Sequence, residues 1–534
     1  MIISRLMECD GPQSLAEILD MGQQVMKSIR MADKKMRLKM EENLKRNLED
    51  GIVLTSSYSG LGSAEIAASM LQEAAHNGGN GFHFWSAVDV SRGARVALQQ
   101  LGGGNSKGPD HIFQDIMDRI PTQVRQNLQG ILKQKTMRYK AVCNKHGPKS
   151  SMAGAAKKSL GMELLKEASA LLHKTTFASF AYCLKHKQMC CLNPRLDPEL
   201  QDRLWVEVAG TVCKPWSTMG TMGDWLHPTS LVFLVWAFSM RFYEPDMILQ
   251  ECTRRFDYDK LYGILAKRGH TTRLPIRSPF TRYLPDGKRI PTWKMKTEII
   301  DPLDLGIPSR RPRRYTYFWI EEVVDFPWPL SIKELFSRSL QGTSALYKVA
   351  TSEQVNAMAW RVQGKHTFMG MDVDLAEHMN EDDSNSAFTP AAYLPASKWV
   401  RMQHYIELAK NKGLMNGMGQ PAEGINMIWV NLETNPQFGN MADVEHAPTL
   451  MTNSSLFDLV DARMLMVMPE HFVIQGFPAP CDGVPERLSK WFPWCQAIED
   501  GTLSTRQCKV LTGNAMHLSV VGSCLAYLCS GQRR

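Results

Sequence analysis

The sequence has no apolar run long enough to cross a bilayer. Its most apolar stretch, Ser230 to Met240, lies between His227 and Arg241 and falls well short of the roughly 20 residues a spanning helix needs. It reads as a core helix. No stretch near the N-terminus has the charged, apolar and small-residue layout of a secretory signal. The 12 cysteines follow no disulfide-framework spacing in a chain of this length, so reduced thiols and an intracellular protein are expected. Internal repeats and long low-complexity runs are also missing. An apolar fraction of 44% and a charged fraction of 22% over 534 residues describe an ordinary globular chain. It can bury a large core in roughly two to four domain-sized units.

Negative charge is scarce in one region. Between Pro121 and Cys190 there are 13 Lys and Arg against two Glu, an excess larger than the net +8 of the whole chain. A concentrated basic segment suits a polyanionic partner. It equally suits a solubilising surface insert.

What is present has a rhythm. Residues 1–50 are amphipathic and helical, with Leu15, Ile18, Met26, Ile29, Met36, Met40, Leu44 and Leu48 at near-helical spacing. They read as an N-terminal extension suited to docking or to binding a partner. From Gly51 strands and helices alternate: GIVLTSSYSGLG (51–62), SAEIAASMLQEAA (63–75) with Ser63 as N-cap, FHFWSAVDV (82–90), SRGARVALQQL (91–101) and HIFQDI (111–116). The basic insert, about 117–200, interrupts. The alternation resumes with RLWVEVAG (203–210), HPTSLVFLVWAFSMRFY (227–243), DMILQEC (246–252), YDKLYGILAKRG (258–269) and a further strand ending near residue 321. This alternation predicts a mainly parallel α/β sheet with helices on both faces. Residues 322–440 lose the rhythm and carry an acidic loop, HMNEDDSNS (378–386), which predicts a second, smaller domain. Residues 441–534 return to core-like segments and rejoin the 51–321 unit.

Several strand ends carry chemistry. Gly60 and Gly62 follow a strand and open a helix, where glycine lets backbone approach a ligand at the positive helix end. Asp89, at the next strand end, is placed for ribose hydroxyls, and Asp115, at the third, for an adenine amino group. Together they describe an adenosine-binding edge. Cys213 follows the strand that ends at Gly210, and Glu251 ends its neighbour. Arg311 and Arg313 lie just before a later strand. A thiol, a carboxyl and guanidinium groups suit attack on an electron-poor ring carbon, with protonation and oxyanion support at the ring's polar edge.

With these residues in order, the chain resembles the cytosine-C5 DNA methyltransferase family over residues 51–525. YSGLG (58–62) is similar to the family's first motif, and Asp89 and Asp115 match its next two acidic positions. GTVCKPWSTMG (210–220) resembles the Pro-Cys-Gln loop, with Ser217 and Gly220 in place. LQECT (249–253) resembles Glu-Asn-Val, and GIPSRRPRR (306–314) resembles Gln-x-Arg-x-Arg. APTLMT (447–452), PEHFVIQGFP (469–478) and TGNAM (512–516) are similar to the segments after the target-recognition domain. The resemblance implies a Rossmann-like class I methyltransferase sheet with helices on both faces, a smaller target-recognition domain at 322–440 and a basic insert. It implies S-adenosylmethionine held by Tyr58, Ser59, Gly60, Leu61, Gly62, Asp89, Asp115, Ile116, Asn514 and Ala515. It also implies double-stranded DNA as partner, with the target base flipped out of the stack. The Cys213 thiolate would attack C6 of cytosine, Glu251 would contact N3 and the exocyclic amine, Arg313 would hold O2, and Arg311 would support the loop or the flipped nucleotide. In a eukaryote the expected location is the nucleus, and otherwise the cytoplasm.

The departures from the pattern lie beside these residues. Val212 and Lys214 flank the cysteine, Cys252 and Thr253 follow the glutamate, Ser309 stands for the glutamine, and Ser56 replaces an acid before the glycine turn. They leave open a catalytically degenerate DNA-binding relative, and the tRNA-methylating branch of the same family. In the insert, CNKH (143–146) and CLKH (183–186) offer two Cys-x-x-His pairs, with Cys190 and Cys191 following. Cys143, His146, Cys183 and His186 are the candidate zinc ligands, against unligated thiols in a surface insert.

Overall fold

Six consecutive buried residues form β1 (Ile52–Ser57). An uninterrupted buried run is what a strand covered on both faces requires. Its neighbours are β2 (Phe82–Val88) and β6 (Leu204–Gly210), both parallel to it, with Ile52 opposite Phe82 on one side and Leu204 on the other. β3 (His111–Phe113) extends the parallel set beyond β2, and β7 (Met247–Cys252) extends it beyond β6. The computed structural model describes residues 10–75, 78–102, 108–216, 224–266, 292–326, 328–350, 396–434, 446–461 and 463–534.

Among the described residues the sheet has nine strands, completed by β4 (Phe180–Cys183), β5 (Gln188–Cys191), β8 (Trp293–Ile300) and β9 (Arg313–Ile320). Their order is β5-β4-β3-β2-β1-β6-β7-β9-β8. Strand order reverses between β1 and β6, the switch point of a Rossmann-like doubly wound sheet, where ligands bind beyond the strand C-termini. The sheet is mixed rather than mainly parallel throughout. β4 and β5 are antiparallel on one edge, and β9 runs antiparallel to both β7 and β8 on the other.

Helices cover both faces. The N-terminal helices α1 (Leu15–Leu19), α2 (Met21–Met31) and α3 (Lys34–Asp50) share the main hydrophobic core with α4 (Ser63–Ala74) and with the penultimate element of the chain. A Cβ at Gly22 would overlap the Met70 carbonyl on α4. The amides of Asn43 and Asn47 donate to Ser530 O (3.1 Å) and Cys529 O (2.8 Å). The apolar stripe read at 1–50 thus has its partner within the chain. α5 (Arg92–Gln100) links β2 to β3. The basic insert is a pair of long helices, α6 (Thr122–His146) and α7 (Ser151–His173), joined by a four-residue turn and followed by the β4–β5 hairpin. Lys135 is buried between them and pairs with Glu163 (2.9 Å) and Glu167 (2.6 Å).

The apolar run read as a core helix is α8 (Thr229–Tyr243), buried almost all round, and α9 (Tyr258–Leu265) follows β7. Past the sheet, α10 (Ala396–Asn411) and a three-stranded sheet of β10 (Trp429–Asn431), β11 (Leu456–Asp458) and β12 (Arg463–Met464) build a separate small core around Met402, Tyr405, Ile428 and Phe457. That core draws on residues on both sides of position 440. The acidic loop 378–386 lies outside the described residues. α11 (Thr505–Asn514) and α12 (Leu518–Cys529) return to the main core.

Candidate active site

The turn after β1 is built by backbone geometry. Tyr58, Gly60 and Gly62 all have positive φ, at 56°, 56° and 77°. Gly62, not Ser63, is the residue that caps α4. A side chain at Gly62 would meet Leu101 Cδ1 at 2.5 Å, so strain and space both demand glycine there. At Gly60 a Cβ would meet nothing within 4 Å among the described residues, so among these the turn is open on its outer side. Ser59 fastens the turn to β2 by accepting from Val88 N–H (2.9 Å). The Gly60 N–H donates to Asp89 Oδ2 (3.0 Å), and Asp89 Oδ1 accepts from Ser91 N–H (2.8 Å). Leu61 and Ile116 are core residues, so only their backbone can face a ligand. Asp115 is half-buried, and its carboxylate accepts from Met117 N–H (2.9 Å) and from Arg125 (2.9 Å) at the start of the basic insert.

One carboxyl here escaped the sequence reading. Glu65, in the first turn of α4, is 2% exposed, and Ser56 donates to its Oε1 at 2.5 Å. Glu65 therefore brings a carboxyl to the end of β1, beside Ser56. Among the described residues its buried Oε2 has no hydrogen-bond partner, and neither does the Tyr58 hydroxyl. The available signal was an acid three residues past the last glycine, which is read first as ordinary helix-dipole pairing. Burial pushes the Glu65 carboxyl up to about 7, against the hydrogen bond from Ser56. The folded state thus holds a proton that the unfolded chain releases near 4.5. Stability is therefore lost as pH rises from about 5 to 8. In urea titrations, Glu65→Gln is expected to remove a fall of about 3 kcal/mol across that window. Equal pH dependence in both proteins would contradict this.

The thiol, the glutamate and the arginines meet at the neighbouring strand ends. Gly210 lies opposite Glu251 in the parallel β6–β7 register. A Cβ at Gly210 would sit 3.7 Å from Tyr58 O, 3.8 Å from Glu251 Oε2 and 3.8 Å from Met516 Cγ. The glycine turn, the glutamate and the TGNAM segment therefore converge three residues before Cys213. Thr211 N–H donates to Glu251 O (3.0 Å), which ties the start of the cysteine loop to β7. Cys213 is half-buried, and its carbonyl accepts from Trp216 N–H (2.9 Å). Trp216 anchors the loop edge-on to Trp225 (5.0 Å) and Phe256 (5.5 Å). Ser217 and Gly220 lie outside the described residues.

Glu251 Oε1 pairs with Arg313 Nε at 3.2 Å, with side chains only 8% and 16% exposed. Burial raises the Glu251 carboxyl, and the Arg313 and Arg311 charges oppose that rise. Arg311 is differently placed. Its guanidinium is buried and donates to Leu450 O (3.0 Å) and Gly513 O (3.1 Å), tying APTLMT and TGNAM to the start of β9. Burial holds it down to about 10, with Arg313 adding repulsion. It braces the two segments that frame the site. Asn514 is exposed at the end of α11, and Ala515, its C-cap, is buried.

The two Cys-x-x-His pairs of the insert are not brought together. Cys183 and His186 cluster with Cys190 and His111, not with Cys143 and His146. The latter two sit on the last turn of the 25-residue α6, while Cys183 and His186 belong to the hairpin at the sheet edge.

No protein-family profile matches this chain, and no curated protein matches it in sequence. Among solved structures it is similar to the Entamoeba histolytica methyltransferase EhMeth at 12% identity and a TM-score of 0.38, over 90% of this chain and 98% of that one. It is also similar to the S. pombe Dnmt2 methyltransferase, at 12% identity and a TM-score of 0.36, over 89% and 97% of the two chains. A third is a putative DNA modification methyltransferase encoded within an E. coli prophage, at 9% identity and a TM-score of 0.37, over 89% and 98%.

Proposed function

We propose that the protein transfers a methyl group from S-adenosylmethionine to C5 of cytosine in DNA. The observation that supports this most is the convergence at Gly210 of the glycine turn, the Glu251 carboxyl and Met516, three residues before a half-buried cysteine. The residues present fit the cofactor. Among the described residues the Gly60 turn is open on its outer side, Asp89 and Asp115 follow the two next strands, and a buried oxygen of each of Glu65 and Tyr58 has no partner. Tyr58, Ser59, Gly60, Leu61, Gly62, Asp89, Asp115, Ile116, Asn514 and Ala515 would hold it. When bound it supplies an electrophilic methyl group.

In this reading Cys213 adds through sulfur to C6 of a cytosine flipped out of the duplex. Glu251 donates a proton at N3, which makes C6 more electrophilic and leaves the adduct a neutral enamine. Arg313 holds Glu251 in place and presents its remaining N–H groups to O2. C5 then carries the nucleophilic electron pair. After methyl transfer, water takes the C5 proton as the C6–S bond breaks and the Cys213 thiolate leaves, and N3 returns its proton to the Glu251 carboxylate, which restores the neutral ring.

The test is methyl transfer from labelled S-adenosylmethionine to mixed-sequence duplex DNA and, separately, to tRNA. Label in DNA is the expected result. Label in tRNA alone would move the proposal to RNA. Absence of label on both, from folded protein that binds the cofactor, would reduce the chain to a nucleic-acid-binding relative.

A further inference from the structure

We propose that His111, Cys183, His186 and Cys190 bind one zinc ion that clamps the β4–β5 hairpin to the edge of the sheet. This inference is independent of the methyl-transfer reading. The four ligand atoms all lie within 4.8 Å of one another. His186 Nδ1 is 3.6 Å from Cys183 Sγ, 3.5 Å from Cys190 Sγ and 3.2 Å from His111 Nδ1. Zinc bonds of about 2.3 Å to sulfur and about 2.05 Å to nitrogen, set at the tetrahedral angle, give edges of about 3.55 Å for S···N and about 3.35 Å for N···N. The three separations match those edges.

Hydrogen bonding accounts for the arrangement less well. One imidazole nitrogen has either one proton or one lone pair. His186 Nδ1 has three neighbours at contact distance, so one well-aligned hydrogen bond serves only one of them. A cation at the centre of the four atoms satisfies all three contacts together. Binding converts two thiols to thiolates with release of two protons, and the two thiolate charges balance the zinc dication. Soft thiolate and imidazole donors in a tetrahedral set select zinc over the hard, oxygen-seeking cations. Four protein ligands leave no open position, so the ion is structural.

The surroundings are built for it. Cys183 pairs with Phe113 across the β3–β4 register, and Leu184 N–H donates to Ile112 O (2.8 Å). Lys185 Nζ donates to Pro109 O (2.8 Å), which pins the hairpin turn beside the start of β3. The Trp85 ring meets His111 edge-on at 4.6 Å and fixes its plane. Next to His111, Asp110 is held by His83 at 2.9 Å, so its carboxylate is turned to another partner. β3 is only three residues long and leads to Asp115. Clamping its start is a way to hold the following strand end in place.

The experiment uses the full chain expressed in zinc-supplemented medium. Metal analysis is expected to give one zinc per chain, and Cys190→Ser to lower this at least tenfold. Cys143→Ser with His146→Asn should retain the full amount. Because Cys190→Ser can also fail to fold, cobalt is exchanged into wild-type protein as a second measurement. Thiolate-to-cobalt absorption with the strong visible bands of a tetrahedral site is expected. Folded wild-type protein that is free of zinc and shows only octahedral cobalt would overturn the proposal. So would a Cys183–Cys190 disulfide in the purified protein, or equal loss of zinc in the Cys143→Ser, His146→Asn variant.

Discussion

Cys213→Ala is expected to lower methyl transfer to DNA by three orders of magnitude or more, about the loss seen when a covalent nucleophile is removed. The fold should tolerate the change. Cys213 is only half-buried at the margin of the core, and trimming one sulfur at such a site costs about 1 kcal/mol. The loop does not depend on the thiol, because Trp216 packs against Trp225 and Phe256 and its N–H closes the turn on the Cys213 backbone. Cofactor affinity should therefore stay within about twofold of wild type, since binding and chemistry are separable here. DNA containing 5-fluorocytosine supplies the direct readout. Fluorine at C5 cannot leave as a proton, so a wild-type adduct is trapped and survives denaturation, and the variant forms none. Methylation by Cys213→Ala at more than a few per cent of the wild-type rate would remove the thiol from the mechanism.

The parts of the fold legible in the sequence are those whose signal is local. The β1 turn announces itself because Gly60 and Gly62 stand between an apolar run and a helix. Cys213 and Glu251 are visible as polar residues at the ends of buried strands, and the β6–β7 register places Gly210 opposite Glu251. What failed to show depends on partners remote in sequence. Glu65 looks like a helix-dipole acid until β1 brings Ser56 against it. Arg311 looks equivalent to Arg313, because a sequence does not say where a guanidinium ends. One reaches two carbonyls 139 and 202 residues away, and the other reaches Glu251. The pairing of CNKH with CLKH followed motif likeness, whereas His111 joins Cys183 only through the antiparallel addition of β4 to β3. Antiparallel β9 was hidden for the same reason, since strand direction is set by connections that leave no local mark.

Glu251→Gln is expected to slow methyl transfer by about two to three orders of magnitude, the usual contribution of a positioned proton donor, and to change the pH profile. Burial raises the Glu251 carboxyl above its ordinary value of 4.5, while Arg313 and Arg311 pull it back. The proposed step at N3 uses the protonated acid. The wild-type rate should therefore fall as pH rises through the folded pKa, and the glutamine variant, which has no proton to lose, should lack that fall. Linkage gives an independent control. A carboxyl raised on folding loses stability as pH climbs above 4.5, so the glutamine variant should lack that pH-dependent loss. The amide oxygen can still accept from Arg313 Nε, so the arginine keeps a hydrogen-bond partner while losing the opposite charge. A slowed, folded variant with a flattened alkaline limb would place the loss in proton delivery. An active variant with the wild-type pH profile would show that Glu251 and Arg313 form a structural pair, and the protonation step would have to be assigned elsewhere.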